Sequence, residues 1–432
     1  MNVLVIGSGG REHALAFKAS QSTKVQKVYV APGNAGTELE PKLENVPDIA
    51  SDFDALVNFV KENTVSLTIV GPEAPLVQGI VDRFQKEGLA IFGPTSGAAQ
   101  LEGSKSFTKD FLARHNIPTA SYQTFTEIKP ALEYVKTKGA PIVIKADGLA
   151  AGKGVIVATT VQEAEDAIKD MLVDNAFGDA GSRVVVEDFL VGEEASFIVM
   201  VDGTTAVPFA TSQDHKRAYD NDKGPNTGGM GAYSPAPVVT AEVHRRVMDE
   251  IINPTVKGMS DEGNSYTGFL YAGLMINAEG APYVIEYNCR FGDPETQPIM
   301  LRLQSDLVEL IECANKKELH TINEIQFDTR AAVGVVLASG GYPKAYTKGN
   351  IISGLRSTYE EGTKVFHAGT AKNDDGIVTS GGRVLCATAL GNTVTEAHEN
   401  AYKLVDEISW TDMEYRNDIA YLAIDREEKE ME

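Results

Sequence analysis

Glu286 and Asn288 are the residues of this sequence best placed to bind a metal ion together. They stand two apart in Tyr-Val-Ile-Glu-Tyr-Asn, where apolar and polar side chains alternate. Such alternation predicts a β-strand in which the pair shares one face, roughly 7 Å apart, while Ile285 and Tyr287 face a core. A carboxylate and an amide oxygen suit Mg²⁺, which takes a few protein oxygens together with phosphate oxygens and water. The alternative is an edge strand whose polar face meets solvent.

Three charged residues follow this strand closely. Arg290, Asp293 and Glu295 stand where the glycine and proline of Phe-Gly-Asp-Pro-Glu predict a turn. Charge gathered where a strand runs into a loop is typical of binding sites in α/β proteins. The strand therefore resembles the floor of a site for a nucleotide with its metal ion.

Composition limits the classes of partner. The chain has 432 residues, enough for about three domains, and a formal net charge of −22. Such a charge repels nucleic acid and anionic membranes, so we expect neither as a partner, and any phosphate must be bound by local cations. Three cysteines without metal-ligand spacing, and a start with no basic or long apolar run, predict a cytoplasmic protein.

The first residues predict a strand, a glycine turn and a helix. The turn Gly-Ser-Gly-Gly-Arg-Glu-His would direct backbone N–H groups at an anion. It lacks the full dinucleotide fingerprint, because Glu12 occupies the third glycine position and the second strand runs into Ala-Pro-Gly without an acidic residue. The turn therefore favours a single phosphate ester, held by Gly9 and Gly10, over a nicotinamide cofactor.

A second glycine-rich stretch follows the apolar strand that carries Lys145. A lysine buried in a strand needs an anionic partner. The loop after it, Asp-Gly-Leu-Ala-Ala-Gly-Lys-Gly, does not match the Walker A spacing but predicts a hairpin that folds over phosphates with Lys153 at its tip. An ordinary hairpin with a solvated lysine is the alternative.

Two further segments predict nucleotide contacts. Backbone groups of the segment 187–190, which leaves a strand, are suited to an adenine edge, and a carboxylate just beyond it, Glu194, to ribose hydroxyls, although a sheet edge protected by charge fits equally well. The long polar stretch 214–233 lacks periodicity and predicts a functional loop. We expect its His215 to be a solvated loop residue rather than a catalytic one.

Six motifs together resemble the phosphoribosylamine-glycine ligase family of the ATP-grasp superfamily. They are Gly-Ser-Gly-Gly-Arg-Glu-His, Ala-Pro-Gly-Asn-Ala-Gly, Gly-Pro-Glu-Ala-Pro-Leu, Ile-Lys-Ala-Asp-Gly-Leu-Ala-Ala-Gly-Lys-Gly-Val, Gly-Pro-Asn-Thr-Gly-Gly-Met-Gly-Ala-Tyr and Asn-Cys-Arg-Phe-Gly-Asp-Pro-Glu-Thr-Gln. The resemblance implies a multidomain α/β and α+β fold. It would comprise an N-terminal Rossmann-like parallel sheet (1–103), a central ATP-grasp domain (104–327) with a mobile lid at about 121–190, and a small C-terminal α+β domain (328–432).

The resemblance also implies a reaction and its residues. ATP would phosphorylate the carboxylate of glycine, and the amine of 5-phosphoribosylamine would attack the glycyl phosphate. The implied contacts are Lys105, Lys145, Arg217 and Asn226 with the triphosphate, Glu187 to Leu190 with adenine, Glu194 with ribose, Glu286 and Asn288 with Mg²⁺ or Mn²⁺, Arg290, Asp293 and Glu295 with the acyl phosphate and glycine, and Gly9, Gly10, Pro32, Gly33 and Asn34 with the phosphoribosyl group. Arg290, Lys145 and Arg217 would be catalytic. We expect a monomer.

Two departures from the resemblance limit what it implies. Leu274 and Met275 stand where many ATP-grasp enzymes have an acid, so a second metal ion held fully by protein is unsupported. Leu422 stands where a basic residue is expected, so a ligand contact from the C-terminal tail is unsupported as well. A related ATP-grasp ribonucleotide carboxylase, and a nucleotide-binding module without turnover, remain alternative functions.

Overall fold

The computed structural model describes residues 1–47, 49–149, 154–173 and 182–431. The N-terminal part is a parallel sheet of five strands in the order β3-β2-β1-β4-β5, as predicted. Its apolar, β-branched strands are buried between helices. The elements are β1 (Asn2–Gly7), α1 (Gly10–Ser20), β2 (Lys27–Pro32), α2 (Ala35–Leu39), β3 (Leu43–Asn45), α3 (Phe53–Glu62), β4 (Val65–Val70), α4 (Glu73–Val77), α5 (Ile80–Lys86), β5 (Ile91–Phe92) and α6 (Ser96–Gly103).

Glu12 fills the crevice between the ends of β1 and β4. Its carboxylate accepts a hydrogen bond of 2.7 Å from the Gly9 amide, and its side chain packs against Gly7 and Gly71 at the two strand ends. The order of the strands reverses at this point, which is where ligands bind in open parallel sheets. An acidic side chain of the chain itself therefore lies at the position where a dinucleotide phosphate would bind.

The segment predicted as the lid forms an antiparallel sheet in the order β6-β9-β7-β8. It has a hydrophobic cluster of its own, which includes Ile142, Ile144 and Val184. Thr160 and Glu163 form a capping box that begins its longer helix. The elements are α7 (Lys105–Arg114), which precedes it, β6 (Tyr122–Phe125), α8 (Ile128–Lys138), β7 (Ile142–Ala146), β8 (Val155–Ala158), α9 (Val161–Leu172) and β9 (Val184–Asp188).

The central part contains the sheet β11-β10-β16-β17. Long antiparallel pairing of β10 with β16 forms its middle. The elements are β10 (Glu193–Asp202), β11 (Ala206–Pro208), β12 (Gln213–Asp214), β13 (Arg217–Tyr219), β14 (Lys223–Asn226), β15 (Gly231–Ser234), α10 (Ala241–Val247), a π-helical turn (Met248–Ile252), α11 (Asn253–Asp261), β16 (Thr267–Ile276), β17 (Pro282–Asn288), α12 (Thr296–Arg302) and α13 (Leu307–Asn315).

A β-bulge interrupts the alternation of β17. Glu286 pairs with Gly273, but the next residue of β16, Leu274, pairs with Val284, so Ile285 is the extra residue. The bulge changes which residues are buried: Val284 is in the core, and Ile285 is half-buried. The prediction that Ile285 faces the core was therefore wrong, because a strict alternation with a period of two does not allow for an inserted residue.

The C-terminal sheet has the order β12-β15-β18-β22-β19, with β23 also paired to β18. Two of its strands come from the stretch 213–234, so the chain crosses between the central and C-terminal parts. The elements are a 3₁₀ turn (Leu319–Thr321), β18 (Ala331–Ser339), β19 (Thr363–His367), β20 (Thr370–Asn373), β21 (Gly376–Thr379), β22 (Arg383–Gly391), α14 (Val394–Glu407), β23 (Met413–Glu414) and α15 (Tyr421–Met431). Among the described residues, no helix has both the length and the apolar character needed to cross a bilayer.

A buried histidine makes stability depend on pH. Burial, with the neighbouring His13, lowers the pKa of His367 from 6.5 to about 3. Below pH 6.5 the unfolded chain therefore binds a proton that the folded chain does not. For one such proton, the free energy of unfolding decreases by about 1.4 kcal/mol for each unit by which the pH is lowered. His13 and Lys364 hold the pKa of the adjacent Glu40 at about 2 against the effect of burial, so Glu40 stays ionised in this range.

We expect His367→Asn to reduce this pH dependence by about one proton. The measurement is urea unfolding at several values between pH 4.5 and 6.5. The matched control is His320→Asn, because His320 is exposed and its replacement should leave the slope unchanged. Equal slopes for both variants and the parent would contradict the assignment.

Candidate active site

A cavity of about 1760 Å³ lies where the lid, the central sheet and the C-terminal part meet. Twelve of the predicted site residues line it: Lys105, Lys145, Glu187, Leu190, Glu194, Arg217, Asn226, Glu286, Asn288, Arg290, Asp293 and Glu295. Lys153 was also predicted but lies outside the described residues. The structure thus brings together side chains that are up to 190 positions apart in the sequence.

Lys145 has the anionic partner that its burial requires. Its Nζ lies 2.8 Å from Oε1 of Glu187 and donates to the Ile285 carbonyl at 2.9 Å. The other carboxylate oxygen of Glu187 lies 2.9 Å from Nζ of Lys109, and burial lowers the pKa of Lys109 to about 8 although Glu187 opposes the shift. One carboxylate is thus shared by two buried lysines, and Glu187 has only its backbone left for an adenine.

Glu286 and Asn288 lie on the cavity wall without a partner. Neither side chain makes a hydrogen bond or ion pair with any residue in the described parts of the chain. Burial alone would raise the pKa of Glu286, but Lys216, Lys145 and Lys105 outweigh it and hold the pKa below its ordinary value. An ionised carboxylate and a free amide oxygen fit a divalent cation. No cluster of three or more His, Cys, Asp or Glu with metal-ligand geometry occurs in the described residues.

Arg290 is fixed between two carboxylates from different parts of the chain. Its Nη2 lies 2.9 Å from Glu102, and its Nε lies 3.2 Å from Glu73 of the N-terminal part. Glu102 also accepts from the Cys289 amide at 2.7 Å. The guanidinium is therefore oriented before any ligand binds.

Asp293 and Glu295 differ in their surroundings. Asp293 lies 3.4 Å from Nη1 of Arg383, and burial, which would raise its pKa, is outweighed mainly by Arg383 and Arg11. Glu295 is 3% exposed and accepts a hydrogen bond of 3.2 Å from Ser196. Glu295 therefore has no cationic partner among the described residues, which suits it to a bound ammonium group.

The loop that begins at β12, which the sequence predicted to be functional, adds two charged residues to the site, Asp214 and Lys216. Lys216 donates to Glu194 at 2.7 Å, so the predicted ribose ligand is already paired. Burial raises the pKa of Asp214 to about 7 against the attraction of Lys216. His215 is buried, not solvated as predicted, and its Nε2 accepts from the Ala420 amide at 2.9 Å. Burial lowers its pKa to about 4, so it is a neutral structural acceptor.

One end of the cavity is apolar. Leu190 contributes to it together with side chains of the lid sheet and of the segment after β9: Val143, Leu149, Val155, Val157, Phe189 and Val191. Lys105 reaches the same lid and donates to the Gly148 carbonyl at 2.9 Å. The cavity is thus apolar at one end and cationic towards β17, which matches a base attached to a chain of phosphates.

The predicted phosphoribosyl-binding residues do not line this cavity: Gly9, Gly10, Pro32, Gly33 and Asn34. The Gly9 amide already donates a hydrogen bond to the carboxylate of Glu12. The amide group of Asn34 caps α2 and donates to the carbonyls of Ser8 and His367. The phosphate assignment of this loop stays a prediction, and these contacts weaken its basis.

The C-terminal helix α15 reaches the cavity, although Leu422 left a ligand contact from this tail unsupported. Leu422 lies on the wall, and so does Arg426, one helical turn further on the same face. Arg426 forms two hydrogen bonds, of 2.8 and 2.6 Å, with the carboxylate of Glu193. The sequence pattern missed Arg426, as it missed Arg11, Glu73, Glu102, Lys109 and Arg383, because each acts on a partner far away in the chain. For Glu73 and Arg383, a single charge in an apolar or glycine-rich stretch was the available signal.

Comparison with known families agrees with this geometry. Three models described as Phosphoribosylglycinamide synthetase match in series: the N domain over residues 1–102, the ATP-grasp (A) domain over 103–296, and the C domain over 332–422. The three matches together cover most of the chain.

Curated relatives agree. The phosphoribosylamine–glycine ligase of Vibrio parahaemolyticus is 68% identical over 429 residues, 99% of this chain and 100% of that protein. The ligase of the same name from Pseudomonas aeruginosa is 66% identical over 430 residues, 100% of both.

Solved structures are similar as well. The crystal structure of phosphoribosylamine–glycine ligase from Thermotoga maritima superposes with a TM-score of 0.84 at 34% identity, over 97% of this chain and 100% of that one. A biotin carboxylase domain from Hydrogenobacter thermophilus superposes with a TM-score of 0.74 over 96% of this chain and 91% of that one, but at 15% identity it shows the fold alone. The motifs, the cavity and the matched models agree: the chain belongs to the phosphoribosylglycinamide synthetase family.

Proposed function

We propose that this chain joins glycine to the amine of 5-phosphoribosylamine at the expense of ATP, giving glycinamide ribonucleotide, ADP and phosphate. This is the reaction that the relatives' name, phosphoribosylamine–glycine ligase, describes. The observation that carries the proposal is the placement of the unpartnered Glu286 and Asn288 beside cationic side chains in one cavity. The alternative carboxylase would use the same pair for its ATP and metal ion, and it is the curated relatives, named as the ligase at 66–68% identity, that favour glycine ligation over it and over a non-catalytic binding module.

An ATP-grasp domain implies ATP and a divalent metal ion. We assign the metal to Glu286 and Asn288, with Mg²⁺ as the natural ion and Mn²⁺ as a substitute, because both ligand atoms are hard oxygens. The bound metal would neutralise phosphate charge and polarise the phosphorus–oxygen bond that breaks. We place the adenine base at the apolar end of the cavity, beside Leu190. The triphosphate then faces Lys105, Lys145 and Arg217.

The residues supply positioning and charge, not a nucleophile. A carboxylate oxygen of glycine attacks the γ-phosphorus of ATP, and the bond to ADP breaks. Arg290, held by Glu73 and Glu102, can stabilise the charge on the transferring group without moving. Glu295 lies nearby without a cation and would hold the ammonium group of glycine. The amine of the acceptor then attacks the acyl carbon, phosphate leaves, and the nitrogen loses a proton.

The substrate requirement is the first test. We expect rapid ADP formation only when ATP, the metal, glycine and 5-phosphoribosylamine are all present, because the acyl phosphate is consumed only by the acceptor. The measurement is ADP release in a coupled assay with each substrate omitted in turn. Replacing glycine by bicarbonate is the control for the carboxylase alternative: ADP formation with bicarbonate and no glycine would overturn the proposal.

The metal assignment predicts a specific effect of Glu286→Gln. Loss of a charged ligand should raise the Mg²⁺ concentration for half-maximal activity about tenfold or more, with the fold retained. The matched control is Glu324→Gln, which removes the same charge from the loop before β18, where Glu324 is exposed and does not line the cavity. An unchanged Mg²⁺ requirement for Glu286→Gln, or an equal change in both variants, would contradict the assignment.

A further inference from the structure

A small hairpin carries part of the cationic wall of the cavity. It consists of β13 and β14, which form a two-stranded sheet of their own and, within the described parts of the chain, pair with no strand of the larger sheets. Arg217 and Asn226 face each other across it, and both line the cavity. Its turn includes Asn221 and Asp222, both with positive φ angles, 59° and 51°. A two-stranded hairpin is marginally stable by itself, so its position depends on what it packs against.

The stretch 416–421, the C-terminal segment, holds this hairpin. Asn417 donates to both carboxylate oxygens of Asp220, at 2.7 and 2.9 Å. The Asn221 amide donates to Asp418 at 2.8 Å. The hydroxyl of Tyr421 donates to Asp222 at 2.7 Å. The turn of the hairpin is therefore bound through side chains and backbone to a segment about 200 positions away.

Arg416 is at the centre of these contacts. Its side chain is completely buried. It binds Asp418 through two hydrogen bonds, of 2.7 and 2.8 Å, and Asp222 through one of 2.8 Å. The same nitrogen that reaches Asp222 also donates to the backbone carbonyl of Arg217 at 3.3 Å. Charge-assisted, bidentate bonds of this kind fix geometry as well as contribute energy.

The backbone of the C-terminal segment is also strained where it meets the loop. Ala420 has a φ of 73°, in the left-handed region that residues with a Cβ rarely adopt. Its amide donates to Nε2 of the buried His215 at 2.9 Å. A strained conformation persists where surrounding contacts impose it. The contact between the C-terminal segment and the loop is therefore a defined structural feature rather than loose packing.

We propose that Arg416 is a positioning residue for ATP binding. It holds the hairpin against the C-terminal segment and thereby places Arg217 and Asn226. This inference rests on the proposed function for the identity of the nucleotide only. Arg416 itself does not touch the cavity, so its effect must pass through the hairpin. Arg416 thereby contributes to nucleotide binding without lining the cavity itself.

Calorimetric binding of ATP with Mg²⁺, without glycine or acceptor, is the direct test. Arg416→Lys keeps the charge but loses the planar fork, and we expect its Kd for ATP to rise about tenfold. The matched control is Arg302→Lys, because Arg302 is also buried and bonded to the carbonyls of Asp328 and Arg330, away from the hairpin. We expect comparable loss of stability in both, with the Kd for ATP unchanged in the control. Asp418→Asn, at a partly exposed carboxylate that binds Arg416 and does not line the cavity, gives a second variant should Arg416→Lys not fold.

A double variant separates positioning from general destabilisation. If Arg416 acts by placing Arg217 and Asn226, then Arg416→Lys should weaken ATP binding much less in an Arg217→Ala background than in the parent protein. Additive losses, or an unchanged Kd for ATP in Arg416→Lys and Asp418→Asn, would overturn the inference. Because ATP binding is measured without turnover, a parent protein that binds ATP but does not ligate glycine would refute the proposed function and leave this inference standing.

Discussion

A chain with a net charge of −22 has to bind a triphosphate, and this constraint shapes the cavity. Cations must be concentrated at one place, and each buried cation needs a counter-charge to offset its desolvation. Glu187 serves two lysines at once, Lys145 and Lys109, so that this pair keeps a net positive charge. Arg290, in contrast, lies between two carboxylates, which fixes its direction at the expense of its charge. The negative charge of the phosphates and the positive charge of the metal ion would offset the charges that the side chains of the cavity leave uncompensated.

The N-terminal part, the lid, the central sheet and the C-terminal part all contribute residues to the cavity. Glu73 connects the N-terminal part to Arg290. Arg383 begins β22 and connects the C-terminal sheet to Asp293 of the central part. Strands β12 and β15 cross into the C-terminal sheet, so the loop between them is anchored at both ends. Site geometry is therefore a property of the assembled chain, and a change in one part is expected to move side chains of another.

Local patterns predicted much of the fold and of the wall of the site. Strand–glycine–helix patterns identified the parallel sheet, and period-two alternation placed Glu286 and Asn288 on one face. The partners of buried charges were not predictable, because Lys109, Arg383 and Arg416 act on residues tens to hundreds of positions away. The bulge at Ile285 was not predicted, because it depends on the register with which β17 pairs with β16. Glu12, recognised only as a missing glycine, proved to be the acid that accepts a hydrogen bond from the Gly9 amide.

The central claim, that glycine is activated as an acyl phosphate in this cavity, is tested most directly by isotope transfer. Glycine labelled with ¹⁸O in both carboxylate oxygens is converted with ATP and 5-phosphoribosylamine, and the inorganic phosphate is analysed by mass spectrometry. The account predicts one ¹⁸O atom in each phosphate released, because the oxygen that attacks the γ-phosphorus leaves with it when the amine attacks the acyl carbon. Unlabelled phosphate, or formation of AMP and pyrophosphate in place of ADP, would contradict it.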